Sequence, residues 1–218
     1  MNRTSTDLAR YRDLGREGGL AAGLAAVLEG VDVAATAPGG VAVLPAVLPT
    51  GTDGPGGTEV LPHPFAALDG LALVRFAADT PGTGPGPGLT GRTATALTAV
   101  RIGVLSGLLD AAVERLSARR FGGVPLIDHQ FVGGSLADVA TEAELAWSGA
   151  VREAAADQDA PAGAVWARHE RLTEAGWAAT RLFGAEGYLT DHPARSLHLS
   201  ALTADLWLAR PSTAEGDR

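Results

Sequence analysis

Hydrophobic and polar positions divide the chain into three textures. Over residues 8–29, Leu8, Tyr11, Leu14, Leu20, Leu24 and Leu28 approximate a helical stripe. Gly15, Gly18, Gly19 and Gly23 weaken it, each by up to about 1 kcal/mol against Ala, so one helix with a break near Gly18 is expected. From Val31 the pattern becomes short β-compatible runs: VDVAATA, VAVLPAVLP, TEVLP and LALVRFA. Turns at Pro38-Gly39-Gly40 and over 51–57 separate them, which predicts three to five strands of a small antiparallel sheet. Pro45 and Pro49 suit an edge strand, because Pro cannot donate to a ladder.

Residues 80–91, TPGTGPGPGLTG, read as a linker, since GPGPG continues neither helix nor ladder. Beyond Arg92 the period is helical almost to the end. Helices are predicted over 93–120 (Leu97, Val100, Val104, Leu108, Ala111, Ala112, Leu116) and over 130–157 (Phe131, Leu136, Val139, Ala143, Trp147). Two more are predicted over 162–183, opened by Pro161, and over 193–208. Four consecutive helices with short connections describe an antiparallel bundle. The expected organisation is therefore mainly α: a small α+β segment (1–79), a linker (80–91), a four-helix bundle (92–208) and a frayed tail (209–218).

Composition narrows the class. The chain has 218 residues, 46% of them hydrophobic and 19% charged, enough for a sizeable core and too apolar for a chain disordered throughout. A net charge of −8 argues against a nucleic-acid binder, because phosphates demand basic patches. No run of about 18 apolar residues occurs, so no membrane span is expected. The polar N-terminus is not laid out as a signal peptide, and a cytoplasmic location is expected. There is no Cys, hence no disulfide, thiolate site or Cys nucleophile. His129, His169, His192 and His198 lack metal-ligand spacing, so no metal is expected. Walker, dinucleotide-fingerprint and Gly-x-Ser-x-Gly motifs are also missing.

The order RRFGGVPLIDHQ, then SLADVATEAELA, then RLFGAEGYLTDHP resembles the C-terminal helical domain of acyl-CoA dehydrogenases. That family's pattern is an Arg-x-x-Phe-Gly-x-Pro turn ending at Gln, a Leu-Ala-Asp helix, then Gln-x-x-Gly-Gly-x-Gly-Tyr. The resemblance covers about residues 92–208. It implies FAD held between subunits and oxidation of an acyl thioester at Cα–Cβ, with a Glu taking the α-proton. It implies cofactor contacts at Arg119, Arg120, Phe121, Arg181, Gly184 and Gly187.

This chain departs from the family pattern in ways that bear on chemistry. The two family positions for the catalytic Glu fall on Leu208 and near Gly91, and neither carries a carboxylate. The Gln before the Gly pair is Arg181, and the pair is Gly184-Ala185. The Arg-x-x-Phe-Gly turn is off register by one residue, and a family Arg-Asp pair falls on Leu199-Ser200. Residues 1–91 are too few for the family's full flavin enclosure, so a shortened member is expected.

The remaining acid–base candidates are Asp128 and His129 at the entrance of the second bundle helix, Glu186 within GAEGY, and Asp191 and His192 before Pro193. Asp128 and Asp191 read equally as helix caps, Glu186 as an exposed turn carboxylate, and Tyr188 as a packed, hydrogen-bonded ring. Trp147, Trp166, Trp177 and Trp207 read as core anchors. Three functions stay open. One is a subunit of a flavin-dependent dehydrogenase, forming a homo-oligomer or a hetero-oligomer with a full-length subunit that supplies the base. The second is a flavin-free enzyme performing dehydration or cyclisation in the bundle cavity. The third is a non-catalytic binding or scaffold protein.

Overall fold

The computed structural model describes residues 3–47, 58–77, 86–156 and 159–209, with side chains from residue 7 onward. The architecture is mainly helical, with the four bundle helices where the periodicity puts them. They are α4 (Gly91–Ala118), α5 (Gln130–Ala156), α6 (Ala162–Arg181) and α7 (Arg195–Trp207). Before them come α1 (Arg3–Glu17), α2 (Gly19–Val27), a single turn α3 (Val33–Thr36), and strands β1 (Val41–Pro45), β2 (Thr58–Leu61) and β3 (Leu71–Phe76).

The first stripe breaks where glycine permits it. Gly18 N–H closes α1 on Leu14 O at 2.9 Å, and Gly19 (φ +73°) turns the chain into α2. Two other glycines bring helices together. A Cβ on Gly15 would lie 2.2 Å from Val100 O, and one on Gly103 would lie 2.0 Å from Arg12 O. The glycines that lower helix propensity are thus the points where α1 and α4 touch backbone to backbone.

VDVAATA is not a strand. Asp32 accepts from Ala35 N–H at 3.1 Å and caps α3, so a local side-chain bond overrides β propensity. The other three runs form an antiparallel sheet of order β1-β3-β2, with Val43 opposite Leu73 and Val60 opposite Val74. Pro45 lies on the edge strand β1, as its missing donor requires; Pro49 and the 51–57 turn lie outside the described residues. The β1 edge is covered by α7, whose Trp207 indole donates to Val43 O at 2.8 Å.

Residues 86–91 are sewn into the fold. Gly88 N–H donates to Thr36 O at 2.9 Å and Leu89 N–H to Trp207 O at 2.7 Å, and Leu89 pairs with Leu208 in a parallel bridge. Buried side chains from α2, the sheet and α4–α7 form one contiguous cluster. At its centre lies α4, 28 residues and about 40 Å long. It is long and apolar enough to cross a membrane, yet 67% of its most apolar window is buried, as befits the central helix of a packed bundle.

Some side chains depart from the expected faces. Phe131 is 89% exposed and Ala111 is exposed, while Ala112 is fully buried. Trp207 is a core anchor, Trp147 and Trp166 are half-buried, and Trp177 is 41% exposed. Beyond Arg92, strand pairing in the described residues is limited to the Leu208 bridge and a two-residue hairpin, β4 (Arg120–Phe121) with β5 (Val124–Pro125), turned by Gly122-Gly123.

Candidate functional site

One end of the bundle gathers most of the candidates. The last turn of α4 points Arg115 at the 184–188 turn, where it pairs with Glu186 at 2.6 Å. The Arg115 hydrogen bond, with Arg119 and His192 nearby, holds the Glu186 carboxyl below its ordinary value. His192 packs edge-on to Phe183 at 4.6 Å between ring centres, and burial followed by the Arg115 charge lowers its pKa. Arg115, Glu186 and His192 are therefore one cluster. Arg119, Arg120, Arg181 and Phe121 (73% exposed) stand open beside it or on the adjoining segments. Gly184 (φ +65°) has nothing within 4 Å of where a Cβ would sit, whereas one on Gly187 would strike Thr180 O at 2.5 Å. Gly187 is thus a packing glycine and Gly184 an open one.

The expected caps are not formed. No described hydrogen bond uses the Asp128 carboxylate; the His129 carbonyl takes the Val132 and Gly133 N–H groups instead. At the last helix it is His192 Nδ1, not the Asp191 carboxylate, that accepts the Ala194 N–H at 3.1 Å. His129 lies against Phe121, and its buried Nε2 has no partner among the described residues. Tyr188 is 60% exposed, with no described hydrogen bond from its hydroxyl. Arg195 is not a solvent side chain: it pairs with buried Asp69 at 2.6 Å and pins α7 to the 67–69 turn, where Ser196 donates to the same carboxylate. His198 stacks on His63 and meets Phe65 and Trp177.

The opposite end holds Gly91 and Leu208, near which the sequence resemblance puts the family's base. Gly91 opens α4 with φ +49°, and buried Leu208 follows α7. Both line a cleft of about 70 Å³ whose walls include Leu89, Ala94, Val165 and Trp166. Asp159, from the α5–α6 connection, reaches into the same cleft. Neither Gly91 nor Leu208 carries an acid or base side chain.

Between the ends, α4 carries a buried polar centre that sequence reasoning missed. Arg101 donates to Ser200 Oγ (2.9 Å), Thr173 Oγ1 (2.8 Å), His169 O (3.1 Å) and His169 Nδ1 (2.8 Å). Thr98 gives its hydroxyl proton to Ala94 O at 3.1 Å, so it accepts from His169 Nε2–H at 2.9 Å. His169 is accordingly neutral, with Nδ1 bare toward the guanidinium. Burial, then the Arg101 and Arg168 charges, hold its pKa well below the imidazole range. Burial also pushes Arg101 down to about 10, with Asp205 opposing. Among the described residues no group of acids and histidines is arranged to hold a metal.

Comparison with known proteins matches this geometry to a family. The family model for the acyl-CoA dehydrogenase C-terminal domain matches residues 90–208. Among solved structures, glutaryl-coenzyme A dehydrogenase in its glutaryl-CoA complex is similar, at 23% identity and TM-score 0.53, over 74% of this chain and 44% of that one. FkbI, described for biosynthesis of the methoxymalonyl extender unit of the Fk520 polyketide immunosuppressant, is similar at 18% identity and TM-score 0.51, over 71% of this chain and 47% of that one. Identities this low speak to the fold alone, and the chain spans less than half the length of either relative. No curated protein matches the chain. With more than half of its residues matched by the family model, on a bundle of the helix order read from its sequence, this chain belongs to the acyl-CoA dehydrogenase family through its C-terminal helical domain.

Proposed function

We propose that this chain acts on an acyl thioester as one subunit of a flavin-dependent α,β-dehydrogenase, assembled with copies of itself or with a full-length subunit of the same family. The observation that supports the reading is the distance between two groups of residues. Those to which the family resemblance assigns flavin contacts lie towards the C-terminal end of α4, and those to which it assigns the base lie at its N-terminal end, about 40 Å away. One flavin cannot use both, so each end would serve a different site and a second chain would complete each.

The residues at the C-terminal end fit the anionic part of FAD. Arg119, Arg120 and Arg181 are exposed cations, and Arg guanidinium suits a pyrophosphate. Gly184 leaves its approach open, and Phe121 offers an uncovered ring. Glu186 works against an anion, but its charge is already taken up by Arg115. When bound, the flavin would accept the hydride from Cβ. This chain's part is to orient the pyrophosphate with Arg119 and Arg120 and to present the Leu89–Leu208 cleft to the acyl carbons.

Co-expression with a full-length family subunit tests the reading. A yellow complex containing both chains, or two copies of this one, whose flavin band bleaches with acyl-CoA is expected. A colourless protein with no partner would overturn it.

A further inference from the structure

We propose that His63 and His198 form a pH-operated latch. Neutral, the two rings clasp the connection between β2 and the 67–69 turn against α7; protonated, they drive it off.

The two imidazoles come from opposite halves of the chain and lie stacked, 6.2 Å between ring centres and 23° between planes. Phe65 stands edge-on to both, 5.8 Å from His63 and 5.7 Å from His198. Trp177 of α6 meets His198 at 5.9 Å. Histidine is the side chain whose ordinary charge change falls between about pH 5 and 8, so this joint passes from no charge to two like charges in that range. Two unit charges this close repel at any protein dielectric.

The local bonds act in the same direction. His63 Nδ1 accepts the Phe65 N–H at 3.3 Å, so the neutral ring holds its own segment in shape and a proton on Nδ1 breaks that bond. Burial, then the His63 charge, disfavour a proton on His198 and lower its pKa. The contribution of His198 is therefore complete above about pH 6.5 and declines as pH falls below it.

The charges around the joint are engaged elsewhere or exposed. Asp69 ends the same segment, but its carboxylate takes Arg195 and Ser196 of α7. On α6, Glu174 and Arg181 flank Trp177 and are exposed, as is Asp205 two turns along α7. From α4, Arg101 reaches α7 at Ser200 and is bound there. The other elements packed on α7, α2 and β1, carry no charged residue. The clasped segment is fixed at both ends, by the pairing of β2 with β3 and by Asp69 on Arg195. Residues 62–66 lift between those two points, which uncovers Phe65 and widens the exposed face of Trp177.

Hydrogen exchange of the full chain, corrected for the intrinsic effect of pH, is compared at about pH 7.5 and about pH 5. Amides of Phe65 and Leu68, the second of which donates to Phe65 O, should lose protection by about tenfold at the lower pH, while α4 keeps its own. His198→Phe leaves a ring against Phe65 and Trp177 but cannot be charged, and should keep protection at both pH values. Protection over 62–69 that is independent of pH, lost equally in His198→Phe, or lost only together with that of α4 overturns the latch. Imidazole NMR on the wild type tests it without a variant. The two rings should titrate as a coupled pair, and independent single-step titrations overturn it as well.

Discussion

The two ends of α4 are built of opposite materials. Its N-terminal end is apolar, narrow and closed by main-chain pairing of Leu89 with Leu208, with one carboxylate reaching in. Its C-terminal end is open and cationic, carrying Arg115, Arg119 and Arg120 beside the 184–188 turn. The first surface suits carbon chemistry and the second an anionic cofactor. About 40 Å of helix holds them apart, as the proposed sharing of two different sites between chains would require.

The comparison depends on the helix between the ends staying rigid, and its largest vulnerability is Arg101. Replacing it with Met strips donors from His169 Nδ1, His169 O, Ser200 and Thr173 in a dry interior. A loss of about 3 kcal/mol is expected from urea midpoints. Stability unchanged in Arg101→Met would mean that the polar centre does not hold α4, α6 and α7 together.

Acid should destabilise the fold through the buried His169. His169 is held well below its ordinary 6.5 when folded, so the unfolded chain binds the extra proton. Its contribution is complete above about pH 6.5 and declines as pH falls below that, by at most about 1.4 kcal/mol per unit. His192 and His198 are shifted the same way and add to the slope. His169→Gln keeps a donor and an acceptor without titrating, and denaturation between pH 6.5 and 4.5 should show a flatter dependence.

Reversing charge at the open end should separate cofactor binding from folding. Arg119→Glu with Arg120→Glu should weaken FAD binding by about tenfold, read by fluorescence titration of the assembled protein. The melting temperature should be unchanged, since both side chains are exposed. The smallest effect is expected at Glu186: Glu186→Gln frees Arg115 and should tighten FAD by about twofold at low salt, fading as salt screens the charge.

The bundle was legible because its signals are long and locally punctuated. All four helices begin and end within two residues of the periodicity, with Pro161 and the Gly-rich turns as stops. Where one local bond decides, the pattern failed: Asp32 made a helical turn of VDVAATA, and before the last helix it is His192, not Asp191, that accepts the Ala194 N–H, leaving that helix without a side-chain cap. Phe131 looked apolar by spacing, yet it lies on an outer face.

The site was less legible. Glu186, His192 and the Arg119–Phe121 stretch were visible because a family motif runs through them. Arg101 and His169 are 68 positions apart, and their pairing has no local signature. The one available hint was a single Arg between Val100 and Ile102 on a helix otherwise apolar at its centre.

The claim that each end of α4 serves a separate, shared site is tested most directly by separating the purified protein by size while recording flavin absorbance and molar mass together. The account predicts flavin only in species of two or more chains. A flavin-loaded single chain would contradict it.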